Sequence, residues 1–166
     1  MTNAGALTVT AAGEQEIVLS RVFGLPRLHV FDALTKPGLI ERWLLGPPGW
    51  LLVVCEVDLR KGGAYRFVWR NADGAGMGMR GVYREVAPPE RLVHTEAFDE
   101  PWYPGEALVT TVLSEQGGRT TLTATLRYES RAARDTVLDS PMEQGVAASY
   151  DRLADLLVST PAPSGA

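Results

Sequence analysis

Alternating apolar and polar residues run through most of the chain and are typical of β-strands. The clearest stretch is 51–59, where an all-apolar start passes into strict alternation of apolar and charged residues. Residues 14–23 also alternate, although Arg21 interrupts the apolar face of this strand. Five further strands are predicted at 65–70, 77–86, 91–98, 106–114 and 119–128. Because the gaps between strands are of hairpin length, the pattern indicates a mainly antiparallel sheet of about seven strands.

Helical spacing of apolar residues replaces this alternation in two parts of the sequence. Pro26 can begin a helix because its missing N–H costs nothing there, and a second short helix follows with Thr35 as its N-cap. Residues 140–143 (Ser-Pro-Met-Glu) form a capping box, which predicts the start of a long helix ending near Val158. At 1.5 Å per residue, this helix is about 27 Å long.

The order of these elements predicts an α+β fold in which a curved antiparallel sheet wraps around the long C-terminal helix. A sheet with one apolar face needs a cover, and this helix is the only predicted element large enough to supply it. The two short helices after the first strand would close one end of the gap that a curved sheet leaves beside the helix. The domain is expected to cover residues 14–158, with flexible tails at 1–13 and 159–166.

The composition narrows the classes of protein that fit. With 166 residues, 45% of them hydrophobic and 22% charged, the chain has the size and composition of one globular domain. Its net charge of −4 argues against a nucleic-acid-binding surface. No apolar run is long enough to span a bilayer, and residues 1–13 lack the features of a secretory signal. A cytoplasmic protein is therefore expected.

Cysteine and histidine are too scarce for a disulfide or for the common metal sites. Cys55 is the single cysteine, and His29 and His94 lie too far apart for a short histidine pair. The sequence therefore predicts no metal and no other cofactor. Cys55 lies on the apolar face of a predicted strand, which favours an inert core thiol over a nucleophile.

Four collinear segments carry a resemblance to a known superfamily. They are WLLGPPGW (43–50), DLRKGGAYRF (58–67), GVYREVAPPERLVHTEAF (81–98) and MEQGVAASYDRLADLL (142–157). They are similar to the START-like, helix-grip superfamily (polyketide cyclase/Bet v-like), in the branch named for the C-terminal domain of the activator of heat-shock protein 90 ATPase. The resemblance implies a helix-grip fold over nearly the whole chain. It is less specific for function, because members include ligand binders, polyketide aromatase/cyclases and co-chaperone domains.

One position departs from the family pattern. The family often has Gly-Trp early in the last helix, whereas this chain has Gly145-Val146, and the loss of an indole should enlarge or reshape the cavity. The family's co-chaperone also carries a separate N-terminal domain that docks on the chaperone. A chain of 166 residues leaves no room for such a domain, so a chaperone partner is not the first expectation.

The resemblance and the aromatic strands together predict binding of a small hydrophobic or amphipathic ligand, such as a lipid, a polyketide or a flavonoid. The family name adds a role in stress response to this expectation. Ligand cavities are mostly apolar and aromatic with a few polar groups, and Arg21, His94 or Tyr150 would hold a polar end of the ligand. The candidate ligand-binding residues are Arg21, Trp43, Trp50, Tyr65, Phe67, Trp69, Tyr83, His94, Phe98, Trp102, Met142, Val146 and Tyr150.

Other functions stay open at this point. His94 and Glu96 share a strand face at i, i+2, so they could form the acid–base pair of an aromatase/cyclase-type enzyme. A co-chaperone-like protein-interaction module is the third class. Arg21 is open between a structural ion pair and an anchor for an anionic ligand group. A monomer or a weak homodimer is expected, the dimer forming through a sheet edge near 106–114.

Overall fold

The computed structural model describes residues 6–159, which form eight strands and four helices. The strands are β1 (Thr8–Ala12), β2 (Glu16–Phe23), β3 (Trp50–Val57), β4 (Ala64–Asn71), β5 (Gly76–Ala87), β6 (Arg91–Phe98), β7 (Ala107–Gln116) and β8 (Arg119–Arg127). The helices are α1 (Arg27–Thr35), α2 (Pro37–Trp43), α3 (Arg131–Leu138) and α4 (Met142–Ser159). The strands lie side by side in the order β1-β2-β8-β7-β6-β5-β4-β3, with antiparallel neighbours. The predicted helix-grip architecture is confirmed.

The N-terminal part of the sheet differs from expectation. Residues 8–12, expected to belong to a tail, form β1 and pair antiparallel with β2. This strand lies at an edge and is mostly exposed, so its sequence needs little apolar alternation. The other parts of the two expected tails, 1–5 and 160–166, lie outside the described residues.

The position of β7 contradicts the expected route to a dimer. β7 lies between β6 and β8, and it is hydrogen-bonded on both sides. The segment 106–114 therefore offers no free sheet edge. Among the described strands, β1 and β3 are the two at the ends of the sheet.

The concave face of the sheet carries the core. In β2 every second residue from Ile17 to Phe23 is buried, and the residues between them are only half-buried. β8 repeats this alternation, so Leu122 and its in-phase neighbours face the same interior. The predicted period-2 pattern thus places one face of each strand against the helices, where burial of apolar surface stabilises the fold by about 25 cal/mol per Å².

The long helix α4 covers this interior and contacts α1, α2 and α3. Its buried residues include Leu153, Leu156 and Leu157, which follow the predicted apolar face. Tyr150 lies about one turn before Leu153 and Val146 about two turns before it, and both are half-buried against the same core. No helix within residues 6–159 is both long and apolar enough to cross a membrane.

The helix ends differ in detail from the predicted caps. The hydroxyl of Ser140 accepts from the N–H of Met142 (3.3 Å) rather than from that of Glu143 as in a capping box, and it donates to Val137 O (2.5 Å). Ser140 therefore ties α4 to the end of α3. Thr35 belongs to the last turn of α1, where its hydroxyl donates to Phe31 O (2.8 Å), so it does not cap α2.

Candidate ligand-binding site

An aromatic cluster covers the concave side of β4, β5 and β6. The ring of Tyr65 is central, because its centroid lies 5.1 Å from that of Phe67, 5.5 Å from Tyr83 and 5.2 Å from His94. Trp69 extends the cluster through an edge contact with Phe67 at 6.1 Å. Each strand contributes alternate residues, so the period-2 pattern is what brings these rings to one surface.

The hydroxyl of Tyr65 determines which ring nitrogen of His94 carries the proton. It donates to the Thr95 carbonyl (2.6 Å), so its oxygen is left to accept from His94 Nδ1 (3.2 Å). Nδ1 also lies 3.2 Å from the Thr95 carbonyl, which only accepts. The Nδ1 atom therefore carries the proton in the neutral ring, and Nε2 is the acceptor. Burial lowers the pKa of His94, which favours this neutral form.

Glu96 lies on the same face of β6, two residues beyond His94, and pairs across the strands with fully buried Ala107. Burial raises the pKa of its carboxyl from 4.5 to about 7. The residue nevertheless keeps part of its surface accessible. A side chain that protein atoms surround, and whose surface is still partly accessible, is typical of the lining of an internal space. No hydrogen bond or ion pair within residues 6–159 reaches this carboxylate.

The charge of Glu96 acts on four tyrosines that lie on different parts of the fold. Burial, and after it the charge of Glu96, raises the pKa of each of them: Tyr65, Tyr103, Tyr128 and Tyr150. The tyrosines remain protonated at neutral pH and present neutral hydroxyls to the interior. The Tyr103 hydroxyl is buried and has no hydrogen-bond partner.

Arg21 closes the opposite side of the interior. It is 6% exposed, and its Nη1 donates to Asp151 Oδ1 of α4 at 2.7 Å. Its guanidinium also lies 5.5 Å from the ring centroid of Phe23. The structure therefore places Arg21 in an ion pair between β2 and α4, although its Nε is buried without a partner. Tyr150 lies beside this pair, with its ring 6.0 Å from Phe23.

The loop between β6 and β7 forms a second concave feature. A pocket of about 390 Å³ is lined by Arg80, Ala97, Phe98, Pro101, Tyr103, Pro104, Gly105, Glu106 and Glu129. Asp99 holds the base of the loop by ion pairs with Arg66 and Arg80, both 2.7 Å long. The hydrogen bond from Arg66 is the main reason that the pKa of Asp99 falls to about 2. Tyr103 lines this pocket, and burial, followed by the charge of Glu96, raises the pKa of its hydroxyl.

The structure brings most of the expected ligand-binding residues to the interior but not all of them. Trp102 is 43% exposed and packs on the loop against Phe98 and Tyr103, so it does not line the space between sheet and helix. Trp43 is buried, and its indole donates to Ala33 O at 2.8 Å, which gives it a structural role in joining α1 and α2. Trp50, Met142 and Val146 are half-buried against the core.

Cys55 behaves as the sequence analysis expects of an inert thiol. Burial is the main cause that raises its pKa to about 11, so the nucleophilic thiolate is not populated at neutral pH. The residue is half-buried on β3, which shifts register between Leu52 and Val54.

Sequence reasoning named Tyr103 among the aromatic residues that could line a pocket, but it did not assign ligand contacts to Glu96, Tyr128 or Asp151. The i, i+2 relation of Glu96 to His94 was a usable signal, because it places both on one strand face. Tyr128 continues the phase of the inward residues of β8, which was a second signal. Asp151 carried no local signal, because a long-range ion pair with Arg21 joins it to β2.

Comparison with known proteins agrees with the geometry. Residues 25–158 match the family described as "Activator of Hsp90 ATPase homolog 1-like protein". No curated protein matches the chain. A crystal structure of a Rhodobacter sphaeroides protein is similar at 31% identity and a TM-score of 0.89, covering 94% of this chain and all of that one.

Two further solved structures share the fold. A Nitrosomonas europaea protein is 25% identical, with a TM-score of 0.77 over 89% of this chain and 97% of that one. An AHSA1-like protein from Aeromonas hydrophila is 20% identical, with a TM-score of 0.67 over 88% and 99%. The family match covers most of the described residues and spans α1 through α4. The chain therefore belongs to the activator of Hsp90 ATPase homolog 1-like family.

Proposed function

We propose that this protein binds a small, largely hydrophobic ligand with one polar end, in the space between the concave face of the sheet and α4. The observation that carries the proposal is the accessible surface of residues deep in the fold. His94 and Glu96 on β6 and Tyr150 on α4 are only half-buried, and the charge of Glu96 helps to raise the pKa of Tyr150. In a filled core, such polar side chains would be excluded or fully paired.

The apolar walls of the proposed cavity and its polar groups make different contributions to binding. Apolar and aromatic side chains on β4 to β6 supply the affinity, at about 25 cal/mol for each Å² of apolar surface removed from water. The Arg21 Nε and the Tyr103 hydroxyl are buried without partners, and each offers a hydrogen bond to a ligand. Buried polar groups without partners are costly, so a ligand that satisfies one of them gains affinity and orientation.

Val146→Trp tests whether the space exists. Val146 is half-buried against the core early in α4, and an indole there would occupy the proposed cavity. We expect the variant to fold with nearly unchanged stability and to bind N-phenyl-1-naphthylamine at least tenfold more weakly. Tryptophan fluorescence and NMR shift mapping with this neutral fluorophore, decanoate and quercetin would measure binding.

Gly145→Ala is the matched control for this experiment. A Cβ at Gly145 meets open space, so the variant changes the neighbouring residue of the same helix without filling the interior. It should bind the probes like the parent protein. If the interior were closed, Val146→Trp would instead cost about 1–3 kcal/mol through overpacking. That result, or probe shifts that avoid α4 altogether, would contradict the proposal.

An enzyme of the aromatase/cyclase type is a second candidate, because one observation favours it. His94 faces the interior rather than solvent, and its ring lies next to the Tyr65 hydroxyl and near a carboxyl whose pKa is about 7. Groups that titrate near neutral pH are suited to moving protons. Conversion of a short poly-β-ketone to a cyclised product, lost in His94→Ala, would favour catalysis over binding alone.

A further inference from the structure

The carboxylate of Glu96 is an uncompensated charge inside the fold. No ion pair or hydrogen bond within residues 6–159 reaches it, and burial is the cause that raises its pKa. Arg21, the buried cation on the other side of the interior, is already paired with Asp151. An ionised carboxylate without a partner is among the most costly groups to bury. Some partner of opposite charge would therefore stabilise it strongly.

The surroundings of Glu96 suit one kind of cation. The ring of Tyr65 lies 5.2 Å from that of His94, which shares its face of β6 with Glu96. On the other side, Glu96 pairs with Ala107 of β7, and Tyr128 follows directly after Arg127, the β8 partner of Leu108. Tyr103 packs edge-on against Tyr128 at 5.3 Å, and the charge of Glu96 also helps to raise the pKa of Tyr150 on α4. Aromatic faces attract an ammonium group, and a carboxylate accepts its N–H donors. A carboxylate inside a set of tyrosine rings thus offers both the charge and the apolar walls for an alkylammonium.

We propose that Glu96 and these four tyrosines recognise a protonated amine at the polar end of a hydrophobic ligand. The inference rests on the proposed cavity and names the chemistry of its ligand. A neutral alcohol could donate one hydrogen bond to Glu96 but would leave its charge unbalanced. An anionic ligand would place a second negative charge beside it. Arg21 would favour an anion, but its Nη1 is already paired with Asp151 and only its Nε is buried without a partner.

Three ligands that differ only in their polar end test this choice: 4-phenylbutylamine, 4-phenylbutan-1-ol and 4-phenylbutanoate. At pH 8 and low salt, we expect the amine to bind at least tenfold more tightly than the alcohol, and the carboxylate to bind most weakly. Glu96→Gln should weaken amine binding at least tenfold and leave alcohol binding within about threefold. Titration calorimetry and NMR shifts of α4 and β6 would measure both. Glu100→Gln, which removes an exposed carboxylate from the nearby loop, is the charge-matched control.

The pH dependence supplies a second readout. The amine should bind more tightly as pH rises through about 7, because protonation of Glu96 competes with the ammonium group. The ionisable groups on the elements around Glu96 are Tyr65, His94, Tyr103, Glu106, Tyr128 and Tyr150, with Tyr83 next to His94 and Arg21 next to Tyr150. The pKa of His94 is lowered and the pKa values of the tyrosines are raised, so His94 and the tyrosines do not account for a change in amine binding at this pH.

The titration of Glu96 should also affect the stability of the protein without ligand. Because folding raises the pKa of Glu96 from 4.5 to about 7, the protonated carboxyl favours the folded state. The free energy of unfolding should therefore fall as pH rises from about 4.5 through 7 in the parent protein. Glu96→Gln should lack this part of the pH dependence, as measured by urea unfolding at a series of pH values.

The outcomes separate this inference from the proposed function. If N-phenyl-1-naphthylamine binds but the amine shows no preference, or Glu96→Gln leaves the preference intact, the amine inference is wrong and the cavity stands. Tightest binding of 4-phenylbutanoate would also overturn it and would assign the polar end to Arg21. If neither the fluorophore nor any phenylbutyl ligand binds, the proposed function itself fails.

Discussion

Gly81→Ala is expected to lower the free energy of unfolding by about 3 kcal/mol. A Cβ at Gly81 would overlap the carbonyl oxygen of Thr95 and lie 2.7 Å from the hydroxyl oxygen of Tyr65. The Thr95 oxygen belongs to the backbone of the neighbouring strand and has little freedom to move. The Tyr65 side chain would have to give up its hydrogen bond to that oxygen (2.6 Å) and leave a buried hydroxyl unpaired.

Urea unfolding and thermal melting would measure this effect. In a domain of this size, about 3 kcal/mol corresponds to a fall in Tm of about 10 °C. Gly145→Ala is the control, because its Cβ meets open space on α4. Alanine has the higher helix propensity, so that variant should gain up to about 1 kcal/mol. Equal stability of the two variants would show that β5 and β6 are not held as closely as the structure has them.

The second large effect is expected at the Arg21–Asp151 pair. Asp151→Asn should destabilise the protein by about 2 kcal/mol, because it leaves the guanidinium of Arg21 buried with no carboxylate. Breaking a fully buried pair costs about 3–5 kcal/mol, but Asp151 is 69% exposed and water reaches it, which reduces the loss. Arg21→Met keeps an apolar chain of similar length and should cost less than Asp151→Asn.

A double-mutant cycle tests this order. In the Arg21→Met background, Asp151→Asn should have almost no effect, because the charge it would strand is gone. Urea unfolding of the four proteins gives the coupling energy between the two sites. If Asp151→Asn proved neutral in the parent background, solvent would be the true partner of Arg21, and the ion pair would contribute nothing to closing β2 on α4.

Particular elements show what kinds of structure a sequence pattern can predict. The strands β3 to β8 appear within a few residues of their predicted bounds, because one side of the sheet is buried and the period of two is strict. β1 was missed because an edge strand with little burial does not need that pattern. The place of β7 in the sheet was also missed, because strand order depends on contacts between distant segments.

The same distinction holds for the candidate site. His94 and Glu96 could be placed on one face from their spacing, and the resemblance of four segments indicated the family. No pattern could show that the Tyr65 hydroxyl donates to Thr95 O and thereby sets the tautomer of His94. Trp102 was assigned to the pocket from its residue type and from its loop, which resembles a gate, whereas the structure has it 43% exposed.

By itself, the sequence determined the α+β class, the antiparallel sheet, the long helix and the absence of disulfides. These depend on local periodicity and composition, which each segment carries on its own. Only the tertiary structure decided that Arg21 is paired with Asp151 and that, within residues 6–159, Glu96 has no ion-pair partner. Charge pairing is set by distances between residues that are far apart in the chain. Burial then determines the strength of the electrostatic interactions that each unpaired charge makes.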